Sequence, residues 1–137
     1  MKELTAQSAA KTYGLFVDGQ WQPAQSGRTF PVTDPGTGET IAFVADAGAD
    51  DTRRAIEAAH RAFPAWSRTP ALARGRILRQ VAALMRERKE SLARQLTREM
   101  GKPIKEARGE IEYAAGFLDW FAGEGERIYG DIIPHWT

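Results

Sequence analysis

The sequence predicts an α+β chain in which N-terminal β-hairpins are followed by three or four helices. Three observations predict it: an Asp18-Gly19 pair between β-forming residues, a second turn at Asp34-Pro35-Gly36-Thr37-Gly38, and a change of apolar period from two to 3.6 after Gly48.

Residues 1–13 are small and polar with no period, which predicts a flexible or docking tail ahead of a structured segment over residues 14–137. Leu15, Phe16 and Val17 then run into Asp18-Gly19, followed by Gln20 and Trp21. Both central positions of such a tight turn need positive φ, which an Asp-Gly pair accepts, so a hairpin is expected. A second strand pair is expected over residues 29–33 and 39–45. Pro35 presets φ in the turn between them, with both glycines expected in left-handed positions.

Asp50 or Asp51 can cap a first helix carrying Ala55, Ile56, Ala59, Ala62 and Phe63, with the acids at its positive end and Pro64 ending it. Thr69-Pro70 offers a hydroxyl cap followed by a proline at the first helical position, where its missing N–H costs nothing. Ile77, Val81, Leu84 and Met85 form a core-facing stripe that resumes at Leu92, Leu96 and Met100. Gly101 is expected to supply a left-handed cap and Pro103 to open the next helix. That helix carries Ile104, Ala107, Ile111, Ala114 or Ala115, Leu118 and Ala122, and is expected to close with Gly130 and Pro134.

With 137 residues, 42% hydrophobic and 27% charged, the composition is that of one soluble globular domain. Nineteen Lys and Arg against 18 Asp and Glu leave a formal charge of +1, which provides no global field for nucleic acid or anionic membrane. The absence of cysteine excludes disulfides, thiolate metal sites and a cysteine nucleophile within these residues. No apolar run approaches the roughly 20 residues of a membrane span, and residues 1–11 lack the apolar middle of a signal peptide. A cytoplasmic location is therefore expected.

Gly123-x-Gly125 follows a helical pattern rather than a strand and lacks the third glycine of a dinucleotide loop at the required step, so Gly123, Gly125 and Gly130 read as helix termination. His60 and His135 have no second ligand at metal-binding spacing, and no metal site is expected. Asp50 and Asp51 are consecutive and do not face each other on a helix, which argues against a paired-carboxylate site. Arg61, Arg68, Arg74, Arg76, Arg79 and Arg86 lie in a stretch without acids, the one feature that favours a phosphate or nucleic-acid surface. Acids follow at once and no aromatic ladder interleaves, so a solvated or subunit-facing helix surface is the expected use. Tyr113, Phe117 and Trp120 fall at i, i+4 and i+7, beside the aliphatic stripe but at a different angle. A helix apolar on two faces is either deeply buried or lines a cavity or partner surface.

Read in order, Leu15-Phe16-Val17-Asp18-Gly19-Gln20-Trp21, Asp34-Pro35-Gly36-Thr37-Gly38-Glu39 and Ala62-Phe63-Pro64-Ala65-Trp66 resemble the opening of NAD(P)-dependent aldehyde dehydrogenases. Arg76-Ile77-Leu78-Arg79, Glu99-Met100-Gly101-Lys102-Pro103, Glu106-Ala107-Arg108-Gly109-Glu110-Ile111 and Tyr113-Ala114-Ala115 resemble the succinate-semialdehyde and glutarate-semialdehyde branch. Trp120-Phe121-Ala122 and Glu126-Arg127-Ile128-Tyr129-Gly130 extend the resemblance, which covers about residues 14–134.

The resemblance implies an α/β parent enzyme of which residues 14–137 form an N-terminal part on the nucleotide-binding side. It implies oxidation of an aldehyde, succinate semialdehyde being the expected substrate, by a cysteine thiolate, an asparagine oxyanion donor and a glutamate base, with NAD or NADP as hydride acceptor. None of those catalytic groups and no cofactor-binding group falls within these residues. The chain is expected to be roughly the first quarter of such an enzyme, inert by itself, with the parent a homodimer or homotetramer. By position in residues 110–130, Glu110 corresponds to the mouth of the substrate tunnel and Tyr113 and Phe117 to its lining. The arginines that grip a semialdehyde carboxylate are expected downstream. Arg108 is expected to pair with Glu112 at i+4, with a substrate contact as the alternative. A reading from another class is a free-standing docking or oligomerisation module derived from the same fold.

Overall fold

The computed structural model describes residues 10–131 and Ile133. Five strands precede four helices: β1 (Lys11–Tyr13), β2 (Leu15–Val17), β3 (Gln20–Gln22), β4 (Thr29–Thr33), β5 (Thr40–Ala45), α1 (Ala49–Ser67), α2 (Ala71–Glu87), α3 (Lys89–Met100) and α4 (Ile104–Glu126). The mixed α+β expectation holds. The chain divides into two compact units. The first takes the described residues up to Ser67 together with Leu96–Lys102, and the second takes Arg68–Gln95 and the described residues from Pro103 onward.

In the first unit, β2 and β3 pair antiparallel, with Phe16 opposite Trp21. Asp18 (φ 54°) and Gly19 (φ 76°) both adopt the left-handed conformation that this two-residue turn demands. The Phe16 and Trp21 rings reinforce the pairing at 5.2 Å between centroids. β4 and β5 form the second antiparallel pair, and Pro31 sits on the edge strand β4, where a residue without an N–H is tolerated. In the turn between them the Asp34 carboxylate accepts the Gly36 N–H at 2.8 Å. Gly38 alone of the two glycines is left-handed, so the expectation for Gly36 is corrected.

The tail expected over residues 1–13 extends too far. Lys11–Tyr13 form β1, which lies parallel to β5 with Thr12 opposite Phe43, giving the sheet order β1-β5-β4. A parallel pairing across some thirty residues carries no turn signal, and for that reason it is invisible to a local reading. Residues 1–9 lie outside the described residues.

Helix α1 passes through Pro64 to Ser67 rather than ending there. Its last turn is closed by the Ser67 hydroxyl, which donates to the Pro64 carbonyl at 3.2 Å. The buried side of α1 is Asp51 and Ala58, while Ile56 and Phe63 of the expected stripe are exposed. Gly101 has φ 77° and its N–H reaches the Thr97 carbonyl at 2.8 Å, the expected cap of α3.

In the second unit, Pro70 and Pro103 occupy the N-cap positions of α2 and α4 themselves, with extended ψ and no side-chain cap bond. Pro70, expected as the first helical residue with Thr69 as its cap, is instead the cap itself, and Ala71 begins the helix. Helices α2 and α4 pack together, and their buried residues are all small: Gly75 and Ala82 on α2, Ala107, Ala115 and Ala122 on α4. A Cβ added to Gly75 would stand 3.1 Å from the Ala122 carbonyl oxygen, so the two backbones approach closely at that point. The α4 stripe follows expectation, but the α2 stripe is turned. Gly75 and Ala82 face inward, and Ile77, Val81 and Leu84 are exposed. Helix α4 ends at Glu126 with Arg127 as its cap residue, before Gly130, and Pro134 lies outside the described residues.

Candidate functional site

At 100° per residue, α4 presents three faces. Ala107, Ala115 and Ala122 form the buried one. Glu112, Asp119 and Glu126, seven residues apart, form a charged edge beside it. Glu110, Tyr113, Phe117, Trp120 and Phe121 share the remaining face, opposite the alanines and therefore pointing away from the buried contact.

Tyr113 is 68% exposed, Phe117 45% and Trp120 64%, so the deeply buried alternative for this stripe is excluded within the unit. The rings nevertheless order one another. Tyr113 meets Phe117 edge to face at 4.7 Å and 82°, and Phe117 stacks on Phe121 at 6.4 Å and 13°. With Gly116 and Trp120 they line an open apolar depression of about 350 Å³. Glu110, exposed one turn before Tyr113, lies on the same face. Phe121 lies outside the i, i+4, i+7 stripe of Tyr113, Phe117 and Trp120, and its own i+4 step from Phe117 brings it onto the same face.

The charged edge is anchored on α2. Arg86 donates through Nε to Glu112 Oε1 at 2.7 Å and through Nη1 to Asp119 Oδ2 at 2.8 Å. Lys89 Nζ lies 3.6 Å from the other Glu112 oxygen, and Arg79 Nη1 pairs with Glu126 at 2.5 Å. The guanidinium of Arg86 holds the Glu112 carboxyl below its ordinary range, and that of Arg79 does the same for Glu126. Arg108 does not pair with Glu112. It donates Nε and Nη2 to the two oxygens of Glu90 on α3, at 2.6 and 3.0 Å. The cross-helix partner wins because a bidentate fork onto one carboxylate is stronger than a single i+4 contact.

Arg61, Arg79 and Arg86 of the basic stretch all reach acids supplied from elsewhere in the chain. Gly123 and Gly125 lie inside α4. His60 is exposed on α1, His135 lies outside the described residues, and no three metal-ligating side chains converge among the described residues. None of the described helices is long and apolar enough to cross a membrane.

Asp50 pairs with Arg53, whereas Asp51 is 3% exposed and accepts the Gly48 N–H at 3.1 Å, the Gln25 N–H at 3.1 Å and Arg54 Nη2 at 2.5 Å. The strand-to-helix turn between β5 and α1 is thus already filled by a carboxylate. It does not fit the pyrophosphate of a dinucleotide, which needs free N–H groups at such a turn.

Residues 21–137 match the aldehyde dehydrogenase family. The chain is 51% identical over 119 residues to the NADP-dependent succinate-semialdehyde dehydrogenase GabD of Escherichia coli, covering 87% of this chain and 25% of that protein. It is 53% identical over 119 residues to the glutarate-semialdehyde dehydrogenase of Pseudomonas aeruginosa, again 87% and 25%. Among solved structures, the succinate-semialdehyde dehydrogenase of Burkholderia pseudomallei superposes with a TM-score of 0.87 at 46% identity, covering 90% of this chain and 26% of that one. The chain therefore spans about a quarter of the length of the relatives it matches. The hairpins, the helices that follow them and the match over residues 21–137 establish that this chain belongs to the aldehyde dehydrogenase family.

Proposed function

We propose that this chain is the N-terminal part of an NAD(P)-dependent semialdehyde dehydrogenase, with succinate semialdehyde as substrate and the dicarboxylic acid and NAD(P)H as products. On this reading Tyr113 and Phe117 line the aldehyde tunnel, Glu110 stands at its mouth, and the whole enzyme is a cytoplasmic homodimer or homotetramer. The observation that carries it is the exposed, mutually ordered aromatic face of α4, turned away from the small-residue contact that holds the helix. An apolar depression of this kind suits the hydrocarbon part of a small aldehyde. The roughly 50% identity to semialdehyde dehydrogenases supports the substrate class.

The chain contains no cysteine, so the thiolate that attacks the aldehyde has to come from outside these residues. The 137-residue chain alone is accordingly inert: with succinate semialdehyde and either nicotinamide cofactor, NAD(P)H absorbance is expected to stay at the no-protein rate. In the intact enzyme, Tyr113→Ala or Phe117→Ala is expected to raise KM for the aldehyde about tenfold and leave KM for the cofactor nearly unchanged. Unaltered aldehyde kinetics in both variants would leave the second reading, a docking module, which the exposed Ile77, Val81 and Leu84 of α2 favour.

A further inference from the structure

We propose that Arg86 is a positioning residue for the aldehyde tunnel, bridging Glu112 and Asp119 to fix the rotation of α4 and with it the direction in which Tyr113 and Phe117 point. The inference rests on the tunnel reading above and goes beyond it by naming what aims the tunnel wall.

The fully buried residues of the helix contact, Gly75, Ala82, Ala107, Ala115 and Ala122, are small, and the larger Leu78, Met85, Ile111 and Leu118 beside them are only half-buried, so rotation and sliding meet less resistance than separation does. The polar ties add direction to that contact, Arg79 on Glu126 and Arg108 on Glu90 holding one point of α4 each. Arg86 holds two, because its planar fork takes two carboxylates that approach along one face of α4, seven residues or about 10 Å apart. Sliding α4 in either direction lengthens one bond at the expense of the other, and rotation that carries the edge away from α2 lengthens both. Glu112 immediately precedes Tyr113, and Asp119 follows Phe117 by two positions, so the two anchors bracket Tyr113 and Phe117. A rotation of about 20° moves a side chain at the rim of the helix by about 2 Å, and misplacement of that order degrades substrate alignment.

All three side chains remain partly exposed, which keeps the bridge's contribution to global stability small while leaving its geometric effect intact. The cross-linking role also separates Arg86 from a simple charge: lysine preserves the charge but has no planar fork to span two carboxylates.

The test uses the intact dehydrogenase carrying this segment. Arg86→Met and Arg86→Lys are each expected to raise KM for succinate semialdehyde about three- to fivefold, with KM for the cofactor unchanged and the melting midpoint moved by no more than a few degrees. In a Tyr113→Ala, Phe117→Ala background, the same substitutions are expected to have no further effect, because the residues being aimed are gone. If Tyr113→Ala raises KM but neither Arg86 variant does, the positioning role is overturned and the tunnel reading stands. An undiminished Arg86 effect in the double-alanine background also overturns it. If neither the aromatic nor the Arg86 substitutions alter aldehyde kinetics, the tunnel reading fails and takes this inference with it.

Discussion

Gly75→Leu is expected to destabilise the second unit by about 2–3 kcal/mol and to lower its melting midpoint by roughly 10 °C. A Cβ at position 75 already stands 3.1 Å from the Ala122 carbonyl oxygen and 3.1 Å from Glu126 Oε1. The branched remainder of leucine has no space beyond it, and the obstacle on the Ala122 side is backbone, which yields only if α2 and α4 move apart. Separation would open the contact around Ala82, Ala115 and Ala122, each at 0% exposure, and stretch the Arg79–Glu126 pair. Gly75→Ala is the informative control. Alanine gains about 1 kcal/mol of helix propensity, against a displacement of a few tenths of an ångström, and should be close to neutral. Thermal unfolding followed by circular dichroism checks both, and a leucine variant that melts with the parent would show that the helices are less closely apposed than described.

Asp51→Ala is expected to have the second largest effect, confined to the first unit. The carboxylate ties the start of α1 to the loop after β3 by accepting from Gly48 N, Gln25 N and Arg54 Nη2. Alanine removes the shared acceptor of two backbone donors and a guanidinium, which at this half-exposed turn fall back on water, and the melting midpoint should fall by a few degrees. Asp51→Asn keeps the shape but turns an amide NH₂ toward groups that can only donate, so most of the loss persists.

The same residue sets an acid limit. The Gly48 N–H, with Arg54 beside it, holds the Asp51 carboxyl below its ordinary value. A group whose folded value is depressed adds stability that is complete above its unfolded value of about 4 and is lost as pH falls through the folded one. The melting midpoint should therefore be flat from pH 7 to about pH 5 and drop below about pH 4. The gap between the parent and Asp51→Asn should narrow over the same interval. Glu90, Glu112 and Glu126, shifted in the same direction by Arg108, Arg86 and Arg79, contribute equally to both proteins and leave that gap intact. A gap independent of pH would rule out the ionised carboxylate as its source.

The parts of this fold that were legible in the sequence are the local ones. Asp18-Gly19 dictates its hairpin through backbone φ alone, and Gly101 its helix cap, without help from distant residues. The helix faces were legible only where small residues and aliphatic ones coincide, as on α4. On α2 the hydrophobic period pointed to Ile77, Val81 and Leu84, yet the tightest contact available to two helices favours Gly and Ala, and hydrophobicity does not register that preference. Pro64 misled for a related reason: a helix held by tertiary contacts can carry one missing N–H. In the candidate site, the aromatic stripe was visible as spacing, and its exposure was not. The ladder of Arg79 and Arg86 against Glu112, Asp119 and Glu126 was present as a seven-residue repeat in both helices. Its members lie more than twenty positions apart along the chain, beyond the reach of an i+4 rule, and Arg108 was assigned to the wrong acid by that rule.

The parallel strand β1 has a consequence for the order of folding. β4 and β5 are joined by a short turn and can zip at once, whereas Lys11 meets Ala42 only after a loop of some thirty residues has closed. The pairing of β1 is therefore the late event of the first unit, a step that adds contact order to an otherwise local sheet. On the return path the hierarchy reverses: β1, an edge strand like β4 but only three residues long and without a turn to tie it to its partner, is the strand whose amides exchange first, ahead of the hairpin that preceded it into place.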